Sequence, residues 1–223
     1  MSARDWSTIG AGASLPRWFR WATPPLLMPL AAMAWIAAYW DRIPLRYATS
    51  FDGDGRATVW TARTPLHVFG FPIFAEGLAA LLVALALGIW YGSGRPSASS
   101  PMEKIPLAMA YLLSLVFTSI GLVPVMQLPI WLIVVMIPPL ALGTIVYVVR
   151  AQGNVDKTAV KTPPECWTMG CFYNNPKDPS LFVPAKMGNG YTFNMANPWS
   201  RRLIPGLLLG IGLLTAFLIW SLE

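Results

Sequence analysis

Residues Leu66 to Tyr91 read LHVFGFPIFAEGLAALLVALALGIWY, 26 residues with one acidic side chain, Glu76, and one histidine, His67. A stretch of roughly 20 mostly apolar residues is long enough for a helix to cross the hydrocarbon core of a bilayer. Such a run has no place in an ordinary soluble domain of this size. The rest of the chain agrees. Of 223 residues, 55% are hydrophobic and only 12% charged, where a soluble domain carries about 25% charged residues. Disorder is excluded for most of the chain, because disordered segments are poor in aromatic and branched residues.

Working outward, four more segments qualify as spans. Pro24 to Trp40 (PPLLMPLAAMAWIAAYW) is short but flanked by Trp18, Trp21, Tyr39 and Trp40, the aromatic anchors of a membrane interface. Those aromatics argue for a span rather than a cleaved leader, whose end carries small residues. Pro106–Val123, Leu128–Val149 and Leu203–Leu222 complete the set. Val123–Pro129 (VPVMQLP) reads as a tight hairpin between the third and fourth spans. Pro138 and Pro139 should kink the fourth helix, because each removes a backbone donor. The expected fold is an all-α integral membrane bundle of about five helices. It comprises a membrane domain over residues 1–149, spans near 24–40, 66–91, 106–123 and 128–149, and an outer loop at 41–65. A linker and small cytoplasmic antiparallel β element follow at 150–202, then a terminal span at 203–223.

Orientation follows from the basic residues, which favour the cytoplasmic side. Arg4, Arg17 and Arg20 precede the first span. Arg95 and Lys104 lie between the second and third. Arg150, Lys157, Lys161, Lys177, Lys186, Arg201 and Arg202 lie between the fourth and fifth. These are twelve of the 16 basic residues. The other four, Arg42, Arg46, Arg56 and Arg63, share their loop with Asp41, Asp52 and Asp54. The N-terminus is expected in the cytoplasm and the C-terminus outside. The net charge of +6 is thus a matter of topology and anionic headgroups, and no nucleic-acid partner is expected.

Outside the spans, two stretches are long enough to carry chemistry. Asp41–Pro65 contains the Asp52-Gly53-Asp54-Gly55 run, which reads as a turn, because a calcium loop needs further oxygen ligands. Ala151–Pro164 and Gly92–Pro101 read as linkers. Cys166–Asn194 alternates short aromatic runs with the turn sequences NNPKDPS and KMGNG, the pattern of a small antiparallel sheet. Cys166 and Cys171 are spaced wrongly for a metal pair. In the cytoplasm they are expected as reduced thiols. One His and two Cys make a protein-ligated metal or haem centre unworkable, so neither cofactor nor metal is expected. With no nucleophile elbow, phosphate loop or zinc-protease motif in the sequence, no catalytic residue is assigned.

The first loop resembles the extracytoplasmic segment of SdpI-type membrane proteins, the immunity-protein family of bacterial toxin systems. The residues that carry the likeness are Ile43-Pro44, Arg46-Tyr47, the Gly/Asp turn, Trp60 and Arg63; Arg46 stands where the family has His, and Arg63 where it has Lys. The second segment resembles a small domain of unknown function often attached to such proteins. It carries Trp167, Gly170, Tyr173, Asn175, Pro176, Asp178, Pro179, Phe182, Val183, Pro184, Gly188, Gly190 and Asn194. The resemblance implies a non-catalytic bacterial inner-membrane protein, acting in toxin immunity, envelope sensing or signalling. The alternative is an accessory subunit that stabilises a larger membrane complex, with lipids and other membrane subunits as partners.

Two intramembrane features invite roles. A carboxylate inside a span is a functional candidate by default, and Glu76 is one. It serves as a proton or cation site, or pairs structurally with Arg42 or Arg63. Gly206 and Gly210, one turn apart in the last span, form a small-xxx-small face suited to close helix packing.

Overall fold

The computed structural model describes residues 15–93, 101–127, 130–152, 162–186 and 191–222. The Gly/Ser linker at 94–100, the tail bearing Arg4, most of the 151–164 linker, and Gly188 and Gly190 lie outside them. Five helices are long and apolar enough to cross a membrane. They are α1 (Thr23–Ala38), α2 (Pro65–Gly92), α3 (Pro101–Met126), α4 (Ile130–Gln152) and α5 (Ser200–Leu222). A 3-10 segment, Arg17–Ala22, leads into α1. The described residues also form three two-stranded antiparallel sheets: β1 (Arg46–Phe51) with β2 (Ala57–Ala62), β3 (Trp167–Thr168) with β4 (Phe172–Tyr173), and β5 (Phe182–Pro184) with β6 (Tyr191–Phe193).

Two differences from the sequence reading concern proline. Helix α3 starts at Pro101, five residues before the expected Pro106, and runs through Pro124 to Met126. Neither proline ends it; helices in a bilayer tolerate proline where neighbouring groups can re-satisfy the backbone. Helix α3 therefore takes in Val123–Met126 of the VPVMQLP stretch, and Gln127 follows at φ 50°; residues 128 and 129 of the expected hairpin lie outside the described residues. Helix α4 continues through Pro138 and Pro139, as the expected span over Leu128–Val149 does. The third difference is the β1–β2 hairpin, at the opposite end of the bundle from the β module.

Helix α2 is the spine. It packs on α1, α3 and α5, whereas α4 packs on α3. Its glycines explain the contact with α5. Gly70 faces Ser221, Gly77 faces Leu214, Gly88 faces Leu203 and Gly92 faces Trp199. In the reverse sense, Leu81 of α2 enters at Gly210 of α5. Each step of seven or four residues along α2 is answered by the same step backwards along α5. Alternate steps of seven and four average about 3.67 residues per turn, close to the 3.6 of a straight helix. The stripe therefore runs nearly parallel to the axis. A Cβ added at Gly92 would lie 2.9 Å from Trp199 Cβ, and one at Gly210 would lie 2.7 Å from a Leu81 methyl. The pairing of Gly206 with Gly210 as one packing face thus needs correcting. Gly210 is a packing glycine, but Gly206 faces open space within the chain, because α5 turns a different face to α2.

The contact of α1 with α3 has another logic. Pro29 lies inside α1 and has no N–H to bond the carbonyl of Pro25, four residues earlier. Ser114 of α3, 1% exposed, donates its hydroxyl to that carbonyl at 2.7 Å. One turn nearer the start, Pro25 leaves the carbonyl of Trp21 in the same position, and the Tyr111 hydroxyl donates to it at 2.7 Å. Interhelical hydrogen bonds of this kind contribute about 1–2 kcal/mol in model membrane peptides. Pro72 of α2 sits against Gly121 of α3, where an added Cβ would come to 2.5 Å of the ring.

Apolar packing closes both ends. Trp18, Ala22, Val83, Ala86, Trp90 and Leu107 form one buried cluster. Ile36, Ile43, Tyr47, Val68 and Val125 form the other, under the hairpin. Leucine at Gly88 must displace Leu203, and overpacking of this kind costs about 1–3 kcal/mol. Gly88→Leu should therefore lower the melting temperature in detergent, while Gly206→Leu should leave it within a degree or two of wild type. Equal behaviour of the two variants in a thermal unfolding assay would contradict the register.

Candidate functional site

The hairpin end is built on Arg63. Its guanidinium donates to the carbonyls of Trp40 (3.1 Å) and Ile43 (2.9 Å) and lies 5.5 Å from the centroid of the Trp40 ring. Trp40 in turn stacks on Phe69 of α2 at 5.9 Å. Arginine suits this position because its planar fork reaches two acceptors and an aromatic face together. Helix α2 begins immediately afterwards. Thr64 caps it by accepting from the His67 amide, and the His67 ring meets the Ala62 carbonyl at 3.1 Å. His67 is thus a helix-start residue bonded to the strand before it.

From this base the hairpin projects. Tyr47 is buried against the bundle and pinned by Ile43 and Val68. At the tip, Asp52 Oδ1 accepts from the amides of Asp54 (3.0 Å) and Arg56 (2.7 Å), and Gly55 takes a positive φ of 79°. Those bonds are an Asx turn, in which the carboxylate holds its own backbone. The outward surface carries Arg46, Leu45, Val59 and Trp60. Leu45 is 75% exposed and Trp60 56%. An aromatic and an arginine held outward on a small sheet are the residue types that dominate binding hot spots.

Glu76 lies in α2 away from this surface, one position before Gly77. Its Oε2 is buried and meets no hydrogen-bond partner among the described residues. The pairing expected with Arg42 or Arg63 is not made. Arg63 bonds the two carbonyls, and the Arg42 guanidinium lies 4.5 Å from the centroid of the Tyr39 ring. Both arginines are held at the hairpin base by nearer partners. A second acidic residue escaped the sequence reading. Glu103 is fully buried in the first turn of α3, because α3 starts earlier than Pro106 suggests. Its signal was present: a carboxylate in a first helical turn complements the helix dipole.

At the other end, the β module is held by Asn194. This side chain is fully buried. Its Nδ2 donates to the carbonyls of Asn175 (3.0 Å) and Asp178 (2.8 Å), and its Oδ1 accepts from the amides of Asn175 (3.0 Å) and Ala196 (3.2 Å). Asn175 donates to the Tyr173 hydroxyl at 2.9 Å, and that hydroxyl donates to Asp178 Oδ2 at 3.2 Å. Pro176 and Pro179 shape the loop between these partners, and Asn197 fixes the Pro179 carbonyl at 3.0 Å. Trp167 packs on the Tyr173 ring at 5.2 Å. Burial pushes the Tyr173 hydroxyl above the usual tyrosine range. The expected single sheet is instead two short hairpins, because Met169 and Gly170 turn the chain at positive φ inside the first aromatic run. A bridge between Tyr173 and Asn194 joins them. The module docks on the end of α2, with Leu181 and Trp199 against Gly92 and Trp199 stacked on Tyr91 at 6.3 Å.

Residues 176–201 match a family of unknown function (DUF5808). The match covers the turn after Asn175, β5, β6, Asn194 and the start of α5, and so takes in Asp178 and Asn194 of the network above, whereas Trp167, Tyr173 and Asn175 precede it. No curated protein and no solved structure matches the chain.

Two outcomes follow from these geometries. Removing the Asn194 side chain leaves buried carbonyls and amides without partners, at about 1–3 kcal/mol for each such group. Asn194→Ala should make the segment after residue 162 susceptible to limited proteolysis while the helices stay protected; an unchanged digestion pattern would contradict the network. Tyr47 gives a pH signature. Burial raises its pKa from the ordinary 10.0 to about 12. The folded pKa lies above the unfolded one, so its contribution is complete below pH 10 and is lost between pH 10 and 12. Two units correspond to roughly 2.7 kcal/mol at most. Denaturation at pH 9 and pH 11.5 should show this loss in wild type and a reduced one in Tyr47→Phe.

Proposed function

We propose that this chain is a non-catalytic bacterial inner-membrane protein of SdpI-like character, which recognises an extracytoplasmic ligand through the β1–β2 hairpin in toxin immunity or envelope sensing. The N-terminus and β module lie in the cytoplasm on this reading, and the C-terminus outside. Twelve basic residues against four support that orientation. The observation that carries the proposal is the hairpin itself. Arg63, Trp40 and Tyr47 fix its base, while Arg46 and Trp60 are presented outward. Residues that anchor and residues that are displayed divide the sequence motif between them.

The second reading, an accessory subunit of a larger complex, draws on α4. This helix packs on α3 and leaves Trp131, Val135, Leu142 and Val149 exposed. One experiment separates the two. Cells lacking the protein are challenged with culture supernatants of competing bacteria, then complemented. The proposal expects sensitisation that wild type reverses, and that an Arg46→Glu, Trp60→Ala variant of equal abundance does not. No sensitisation, together with stoichiometric co-migration of other membrane proteins in mild detergent, would favour the accessory role.

A further inference from the structure

Helix α4 stands apart from the start of α1, and the gap is a groove of about 870 Å³. This is within the size of ordinary ligand sites, about 300–1,000 Å³. Arg17 and Arg20 approach it from the 3-10 segment and Lys104 from α3. Arg150, at the end of α4, lines an adjoining cleft together with Lys104. Among the described residues, no carboxylate lines either space. The remaining walls are apolar or aromatic, including Leu107, Pro139 and Leu140. Gly143 leaves the floor open, since nothing lies within 4 Å of where its Cβ would be.

We propose that this groove binds an anionic phospholipid, its phosphate among Arg17, Arg20, Lys104 and Arg150 and an acyl chain along α4 toward Pro139. Three features select this occupant. The first is the charge, four cations without an acidic neighbour in the lining, at the end that the positive-inside rule places in the cytoplasm. Basic pockets between helices on that side suit anionic headgroups. The second is length. From Arg150 back to Pro139 is eleven residues, about 16 Å of helix at 1.5 Å per residue, far more than a phosphate needs and apolar for most of its course. The third is that little polarity competes with the cations. Of the three hydroxyls in the lining, Tyr111 bonds the Trp21 carbonyl and Thr144 bonds the Leu140 carbonyl, which leaves the Tyr147 hydroxyl and the Trp18 indole N–H, both donors suited to a phosphate oxygen. Selectivity therefore rests on negative charge and an apolar tail.

The proposal rests on the bundle lying in a bilayer, which an alkaline carbonate wash tests independently; release of the protein would contradict the membrane reading itself. The direct test is titration of the detergent-purified full chain with dioleoyl phosphatidylglycerol, dioleoyl phosphatidylcholine or inorganic phosphate, read by native mass spectrometry and thermal shift. Phosphatidylglycerol should bind and stabilise, phosphatidylcholine clearly less, and inorganic phosphate should do neither. Lys104→Gln and Arg17→Gln should each weaken phosphatidylglycerol binding about fivefold, the effect of one cation near an anionic headgroup. Gly143→Leu fills the floor, leaves every charge in place, and should weaken the same lipid. Equal binding of the two lipids, protection by phosphate alone, or full binding by Gly143→Leu together with both charge variants would overturn it.

Discussion

Close approach of two backbones, α2 and α5, sets where the last helix and the β module before it lie on the bundle. In a bilayer, lipid tails are as apolar as leucine, so apolar burial does not by itself draw helices together. Contact has to come from fit. Four glycines of α2 receive Ser221, Leu214, Leu203 and Trp199, and Gly210 of α5 receives Leu81 in return. Only one antiparallel register satisfies all five contacts. That register seats Trp199 on the end of α2 and so positions the β module that immediately precedes α5.

Proline supplies the second constraint. The helices carry prolines at positions 29, 72, 106, 124, 138, 139 and 205. Each deprives a carbonyl of its helical donor, and the core of a bilayer has no water to replace it. At Pro25 and Pro29 the replacement is a hydroxyl of α3, from Tyr111 and Ser114. These bonds tie α1 to α3 at set heights and give direction to a contact that dispersion alone would leave loose.

The helices were legible because a long apolar run with few charges has few alternatives. Their ends were less so. Pro106 and Pro124 look like boundaries by the rules of soluble helices, and the membrane relaxes those rules. The same misplacement hid Glu103. The β1–β2 hairpin was visible only as its Asp52–Gly55 turn, since strands this short have little periodicity of their own. The polar motif Tyr173, Asn175, Asp178, Asn194 was legible as a pattern, whereas its role needed the fold: Asn194 meets Asn175 and Asp178 across 19 and 16 residues of chain. Gly206 and Gly210 carry equal sequence signals, and only the face turned toward α2 distinguishes them.

The bundle leaves two features outward on which the proposals draw, a fixed hairpin at one end and a cation-rimmed groove at the other. The α2–α5 register, which seats the β module on the end of α2, holds the bundle between them together. Disulfide trapping measures it most directly, with native Cys166 and Cys171 replaced by serine. Leu81→Cys paired with Gly210→Cys should cross-link in membranes on mild oxidation, and Leu81→Cys paired with Gly206→Cys should not. Efficient cross-linking of the second pair and none of the first would contradict the account.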